Sequence, residues 1–317
     1  MGREAMMKFA ELLEGACAGR MAHTARLLSI VENEEEGSTE VIRSTYLHTG
    51  RALKVGITGP PGAGKSTLVA LLTLAYRRQV PRVAVVAVDP SSPYSGGAIL
   101  GDRIRMRGSY LDSGVFIRSM SNRGQSGGLA RATRRVVSVL DAVGFDVILV
   151  ETVGIGQQEI DVARVVDTVC LLTIPGAGDD IQAIKAGVIE IADILVVNKA
   201  DRPGVEEAVM DLLQMLKLGT PRNDWRTPVI KTSASLGTGI DDLIVAIQRH
   251  REWAAQGGEA QRRNVDAMRT EIQALLRERV LLELANRLDP QNLEHVVCRV
   301  VAKQLDPYAA LDVLLGT

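Results

Sequence analysis

One nine-residue stretch constrains this chain more than any other: Gly59-Pro60-Pro61-Gly62-Ala63-Gly64-Lys65-Ser66-Thr67. An apolar run at 53–58 leads into it, and a helix-like run at 66–78 leads out. Strand, glycine loop and helix, in that order, form the context in which a P-loop pattern carries meaning. The glycines let backbone N–H groups turn inward around a phosphate chain, and the helix that follows offers the positive end of its dipole. Lys65 is placed to reach the outer phosphates, and the Ser66 hydroxyl to complete a magnesium shell. The stretch implies a bound nucleoside triphosphate.

The centre of the chain fits that reading. From 53 to about 252 it alternates strand and helix, with strand candidates at 54–58, 82–88, 115–119, 146–151, 168–174, 194–198 and 228–232. Their nearly continuous Val, Ile and Leu content suits strands covered on both faces of a parallel sheet. Helices between them imply right-handed crossovers and a three-layer α/β domain with a mostly parallel sheet. Ligands in such sheets sit beyond the carboxyl ends of the strands, where the motifs fall.

The flanks read as helical. Phe9, Leu12, Leu13 and Ala16 recur at helical spacing, as do His23, Leu27, Ile30 and Val31. The acidic run Glu32, Glu34, Glu35 and Glu36 reads as a solvated helix end. After Gly257-Gly258 only helix remains, with a seam of Val265, Met268, Ile272, Leu275 and Leu282 widened by Leu276 and Val280. Asp289-Pro290 and Asp306-Pro307 each read as an N-cap followed by proline in the first turn. Spacing alone leaves two readings of this tail, a layer on its own domain or a dimerisation arm.

Composition excludes several classes. A formal charge of −1 over 317 residues gives no basic footprint for nucleic acid. Cys17, Cys170 and Cys298 are scattered and make neither a disulfide framework nor a metal pattern. No secretory leader is visible, and no apolar run approaches the ~20 residues of a membrane span. The expectation is a cytoplasmic protein without a nucleic-acid or membrane partner.

Asn198-Lys199-Ala200-Asp201 closes the sixth strand candidate and chooses the base. A carboxylate at Asp201 accepts from guanine N1–H and the exocyclic amine, whereas adenine presents neither donor there. The stem of Lys199 can lie along the base, and Asn198 can tie this loop to the P-loop. Ser233-Ala234-Ser235 is placed to offer a backbone N–H to the guanine carbonyl. The nucleotide expected is GTP or GDP, and the central domain, 51–256, reads as a P-loop GTPase between helical extensions at 1–50 and 257–317.

For the metal, Glu151 ends a buried strand and is followed by Thr152-Val153-Gly154, where many GTPases read Asp-x-x-Gly. Glu151 would hold Mg2+, and the Gly154 N–H would sense the γ-phosphate. Asp89, at the end of the second strand candidate, and Asp102, in a glycine-rich loop, are further candidates; a hard cation bridging phosphates needs only one or two carboxylates plus waters. Ile155 follows Gly154 where some GTPases place a water-orienting glutamine, which predicts slow turnover near the ~10⁻⁴ s⁻¹ of unassisted GTPases. Between 103 and 135 stand Arg103, Arg105, Arg107, Arg118, Arg123, Arg131, Arg134 and Arg135, either a solvated face or a surface for an acidic partner.

Asp89-Pro90-Ser91-Ser92, Gly96-Gly97-Ala98-Ile99-Leu100-Gly101-Asp102, Glu151-Thr152-Val153-Gly154 and Pro175-Gly176-Ala177-Gly178-Asp179-Asp180 stand in a familiar order. The chain closely resembles the MeaB/ArgK-type G-proteins, a family that includes the human methylmalonic aciduria type A protein. The resemblance implies a GTPase chaperone that gates delivery of adenosylcobalamin to a partner acyl-CoA mutase and protects that mutase. It implies a homodimer through the C-terminal helices, and a cobalamin adenosyltransferase as a further partner, with no cobalamin held tightly by the chain itself. It places switch aspartates at Asp89 and Asp102, the magnesium-side glutamate at Glu151, and a third switch whose Lys185 serves stimulated hydrolysis. With Lys65 and Asp89, Lys185 completes the expected catalytic set. Ala98, Arg103 and Pro93-Tyr94-Ser95 depart from the usual family pattern, which leaves methylmalonyl-, isobutyryl- and 2-hydroxyisobutyryl-CoA mutases open as clients. Two other readings stand beside it. A nickel-delivery GTPase would want gathered histidines, but His23, His48, His250 and His295 are isolated; a transport-system kinase would want an acceptor site.

Overall fold

Seven strands form one all-parallel sheet in the order β3-β2-β4-β1-β5-β6-β7. They are β1 (Leu53–Thr58), β2 (Val83–Asp89), β3 (Val115–Ser121), β4 (Val147–Thr152), β5 (Thr168–Thr173), β6 (Ile194–Val197) and β7 (Val229–Lys231). The computed structural model describes residues 3–89, 112–121, 128–152, 163–176, 186–218 and 224–316. By contacts the chain divides into two units, Met1–Gln261 and Arg262–Thr317.

Alternation along the strands sorts the first unit into three layers. Val55, Ile57, Val85, Leu149, Leu172 and Val196 point to one face and pack on α4 (Lys65–Arg77) and α8 (Ile240–Gln256) through Leu68, Leu72, Leu243 and Ile247. Val86, Ile148, Val150 and Val169 point to the other, against Val136, Val139 and Leu140 of α5 (Gly128–Ala142). Further along that face Leu171, Leu195 and Val197 meet Val205, Ala208 and Leu212 of α7 (Val205–Leu218). A short helix, α6 (Ala186–Ile191), precedes β6. Neighbouring parallel strands with both faces covered explain why these segments read as apolar runs with little polar interruption.

The helices before the sheet belong to its core. They are α1 (Arg3–Cys17), α2 (Met21–Glu32) and α3 (Ser38–Tyr46). Leu27, Leu28, Val31 and Val41 are fully buried and share a cluster with α5 and the sheet. At about 2 kcal/mol for each buried Leu or Val, an upper figure, that face is a substantial part of the layer. The acidic run at the end of α2 is exposed at Glu34 and Glu36, as expected of a solvated helix end, but it also makes ion pairs. Glu32 accepts from Arg118 Nε at 2.9 Å, and Glu34 Oε1 lies 2.6 Å from Arg135 and 3.3 Å from Arg131. Part of the arginine face at 103–135 is therefore met within the chain. Four-residue spacing on α5 places Arg131 and Arg135 on one stripe, and the acidic turn docks across it.

At the amino ends of the strands the free backbone N–H groups meet aspartates. Asp141 accepts from the N–H groups of Gly50, Arg51 and Ala52 and pairs with Lys54 Nζ at 2.8 Å. Asp146 accepts from Arg82 N, Asp167 from Lys54 N and Asp193 from Val169 N. Burial pushes the Asp141 carboxyl up, but Lys54 and the backbone donors outweigh it and hold the group below the usual aspartate range. Burial wins at Asp167, whose carboxyl is raised.

The second unit is helical. It takes in most of α9 (Glu259–Arg287), then α10 (Pro290–Val301) and α11 (Pro307–Leu315). Asp289 caps α10 by accepting from Gln291 N, and Asp306 caps α11 by accepting from Tyr308 N and Ala309 N. Val265, Ile272, Leu276, Val280 and Leu282 of α9 are all exposed.

Candidate functional site

The loop from Gly59 to Gly64 joins the end of β1 to the start of α4, and two of its glycines are steric necessities. At Gly59 (φ 142°) an added Cβ would lie 2.4 Å from the Leu172 carbonyl oxygen of the adjacent strand. At Gly64 (φ 91°) it would lie 2.5 Å from Asn198 Nδ2. Both are left-handed positions that an L side chain rarely adopts. Pro60 and Pro61 carry no N–H, and Pro61 and Gly62 sit exposed at the tip. Ala63 is buried beneath the loop, and Thr67 is exposed on the first turn of α4.

Lys65 is almost completely buried. Its ammonium donates to the carbonyl oxygens of Gly59 at 2.8 Å and Pro60 at 2.9 Å, so the loop itself holds the charge. Beside it, Ser66 Oγ donates to Glu151 Oε1 at 2.6 Å. Glu151 is 1% exposed at the end of β4, and the β1–β4 register places it opposite Ile57. A hydroxyl and a buried carboxylate side by side at the start of the P-loop helix are a donor set suited to a hard cation that also binds phosphate oxygens and water.

The loop after β6 is fastened to the 59–64 loop by one side chain. Asn198 Nδ2 donates to the Ala63 carbonyl at 2.7 Å, while its Oδ1 accepts from Thr232 Oγ1 at 3.1 Å and Ala234 N at 3.2 Å. Three loops are thereby held in one arrangement by a residue that is 1% exposed. Lys199 takes a left-handed conformation (φ 58°), which turns the chain out after β6. Asp201 is exposed, and its Oδ1 accepts from the hydroxyls of Ser233 and Ser235. The Ser233 hydrogen bond is the main reason its carboxyl stays below the usual aspartate range, so it is ionised at neutral pH. An open cavity of about 570 Å³ lies next to these loops, lined by Ala200, Arg202, Lys231, Thr238 and Gly239 among others, with no P-loop residue in it.

Lys65, Ser66, Glu151, Asn198, Ser233 and Asp201 thus gather at the carboxyl ends of β1, β4, β6 and β7. Asp89 closes β2, with its backbone alone described. Asp102, Gly154 and Lys185 lie outside the described residues. Sequence reasoning passed over Thr232, which supports Asn198, and over Thr58 and Thr152, whose hydroxyls meet beneath the P-loop. At Thr58 and Thr152 the signal in the sequence is a threonine at the end of a mostly apolar strand, whereas Thr232 follows β7 and carries no such signal.

The family model described as methylmalonyl Co-A mutase-associated GTPase MeaB matches residues 24–289. The chain belongs to this family. Among relatives, a Pyrococcus abyssi protein named as a GTPase is 46% identical over 308 residues, covering 96% of this chain and 95% of its own. The GTPase ArgK of Escherichia coli K12 is 37% identical over 75% of this chain and 74% of its own. The methylmalonic aciduria type A homolog of Mus musculus, a mitochondrial protein, is 33% identical over 96% of this chain and 78% of its own. A crystal structure of a LAO/AO transport system kinase superimposes with a TM-score of 0.70 at 29% identity, covering 100% of this chain and 98% of that one. The fold is that of the P-loop GTPases, and relatives such as the Pyrococcus abyssi protein and ArgK are named GTPases.

One cluster looks catalytic by residue type and is not part of this site. His250 Nδ1 lies 2.8 Å from Thr168 Oγ1, and its Nε2 lies 3.2 Å from Asp193 Oδ1. His250 is fully buried, and Thr168 and Asp193 stand at the amino ends of β5 and β6. Trp225 and Trp253 pack on the ring with centroids 5.0 and 5.6 Å away. It is a polar core between α8 and the sheet. No helix among the described residues is long and apolar enough to cross a membrane.

Proposed function

We propose that this chain is a GTP-binding and GTP-hydrolysing chaperone that gates adenosylcobalamin loading, and protection, of a partner acyl-CoA mutase. The observation that carries the nucleotide half is the Asn198 bridge to Ala63. It holds a carboxylate of guanine-reading type at a fixed distance from a phosphate cradle. Membership of the MeaB family supports the mutase half, with methylmalonyl-CoA mutase or a close relative as client.

In this reading, backbone N–H groups of 59–67 and the α4 dipole cradle the phosphates, and Lys65 exchanges its two carbonyl partners for phosphate oxygens. The charge-assisted bonds to phosphate are stronger than those to neutral carbonyls, which favours the exchange. Ser66 and Glu151 would hold Mg2+, with Asp89 and Asp102 as further candidate ligands. When bound, the ion supplies positive charge to the phosphate oxygens. Asp201 accepts from the guanine edge, Lys199 lies along the base, and Ser233, Ala234 and Ser235 close over its carbonyl side. Gly154 senses the γ-phosphate, and Lys185 acts in partner-stimulated hydrolysis. The exposed apolar seam of α9 supports a homodimer through the C-terminal helices, and the cytoplasm is the expected compartment.

The test is phosphate release from GTP by the purified chain, alone and with each adenosylcobalamin-dependent mutase. Slow basal turnover that rises with one mutase is expected. Unstimulated turnover with all of them would leave a GTPase and remove the chaperone role.

A further inference from the structure

We infer that Thr58 and Thr152 are a pair of positioning residues that set where Glu151 stands over the P-loop. Thr152 Oγ1 donates to Thr58 Oγ1 at 2.8 Å, and the two residues are 1% and 0% exposed. Thr58 is the last residue of β1 and passes the chain to Gly59; Thr152 is the last of β4 and follows Glu151. The β1–β4 ladder ends at Ile57↔Glu151. The hydroxyl bond therefore continues the pairing one residue further, to where the two strands part.

The choice of residue type is informative. Along both strands the interior positions are apolar, as at Val55, Ile57, Leu149 and Val150. Valine has nearly the shape of threonine, and burying a hydroxyl is unfavourable unless it is bonded. Two threonines meeting at the point of divergence replace apolar contact with a directional link. Its consequence lies one residue back on β4, where Glu151 reaches Ser66 at 2.6 Å. A slip of about 1 Å at such a constellation can cost ~100-fold in rate, so a bond that fixes β4 against β1 has leverage on the site. Thr173, at the end of the neighbouring β5, gives a contrast: its hydroxyl is buried and has no hydrogen-bond partner among the described residues.

The inference rests on the GTPase reading, and its test separates the two. The full chain and its Thr58→Val, Thr152→Val, Thr152→Ser and doubly valine-substituted forms would be compared by single-turnover GTP hydrolysis and by GDP titration. Each valine form is expected to hydrolyse about tenfold more slowly with GDP affinity within about twofold of native. The double form should be no slower than either single one, since both remove one shared bond. Thr152→Ser keeps the hydroxyl and should restore the rate. Where a valine crowds the fold, Thr152→Ala reads the same bond. Unchanged rates in the valine forms, additive losses in the double form, or GDP affinity falling in step with rate would overturn the pairing while leaving the GTPase intact. A native chain that does not hydrolyse GTP would overturn the functional reading and the pairing with it.

Discussion

The two ends of the sheet hold buried and half-buried polar groups of the same kinds and use them in opposite ways. At the amino ends, Asp141, Asp146, Asp167 and Asp193 accept from strand N–H groups, and Lys54 completes the set. Those carboxylates serve the ladder. At the carboxyl ends, Lys65, Ser66, Glu151 and Asn198 bond to loops and to one another. There the partners of Lys65, Ser66 and Glu151 are groups of the kind a ligand replaces, while Asn198 ties the loops to one another. A buried charge is therefore a poor marker of function by itself; what it bonds to, and at which end of the strands, decides. The Thr168–His250–Asp193 cluster makes the point, since its residue types suggest chemistry and its position denies it.

This contrast can be broken by experiment, and the largest effect belongs to the carboxyl end. Lys65→Ala should reduce GTP affinity by ~1000-fold or more in a fluorescent-nucleotide titration, because it removes a charge-assisted phosphate contact. Its unfolding midpoint should stay closer to native than that of a variant in the strand ladder, since the two carbonyls its ammonium meets, Gly59 and Pro60, belong to the loop.

Asp141→Ala should do the reverse. Removing one partner of a buried ion pair strands Lys54 and three backbone donors, which costs about 3–5 kcal/mol in urea unfolding. Nucleotide affinity per folded molecule should hold within about twofold. The pH dependence has a definite sign. Because the folded Asp141 carboxyl lies below the usual range, its contribution is present above the unfolded value of about 3.9 and fades as pH falls through the folded one. Native protein should thus lose stability more steeply on acidification than the alanine form. Asp167 opposes this, since its raised carboxyl makes protonation favour the fold.

Asp201→Asn comes next, with a ~100-fold loss of preference for GTP over xanthosine triphosphate, the upper end of what one hydrogen bond to a charged group contributes. Competition binding would show it, and unchanged selectivity would remove Asp201 from the base site. The smallest effect is expected at Thr173→Val. Replacing a buried hydroxyl that has no hydrogen-bond partner among the described residues by an isosteric apolar group should leave stability unchanged or raise it by up to about 1 kcal/mol.

Much of the carboxyl end was legible in the sequence because its geometry is local. A strand, six residues of loop and a helix start are contiguous, and Asn198, Lys199 and Asp201 share one turn. The seven strands were legible too, from their apolar runs, to within a residue or two at each end. What could not be read was pairing across distance. Nothing near Glu32 or Glu34 announces Arg118, Arg131 and Arg135, so the ion pairs that this partly solvated run makes could not be read. The aspartates at the amino ends were equally silent, since each accepts from a strand start brought to it only by the crossovers. Thr58 and Thr152 stand 94 residues apart and looked like ordinary strand residues.

The most direct test of the central claim is a paired titration of the native chain with GTP and ATP in magnesium buffer. The account predicts GTP bound at least ~100-fold more tightly, because Asp201 finds both of its donors on guanine and neither on adenine. Equal affinity for the two nucleotides would contradict it, leaving a phosphate cradle without a guanine-reading loop.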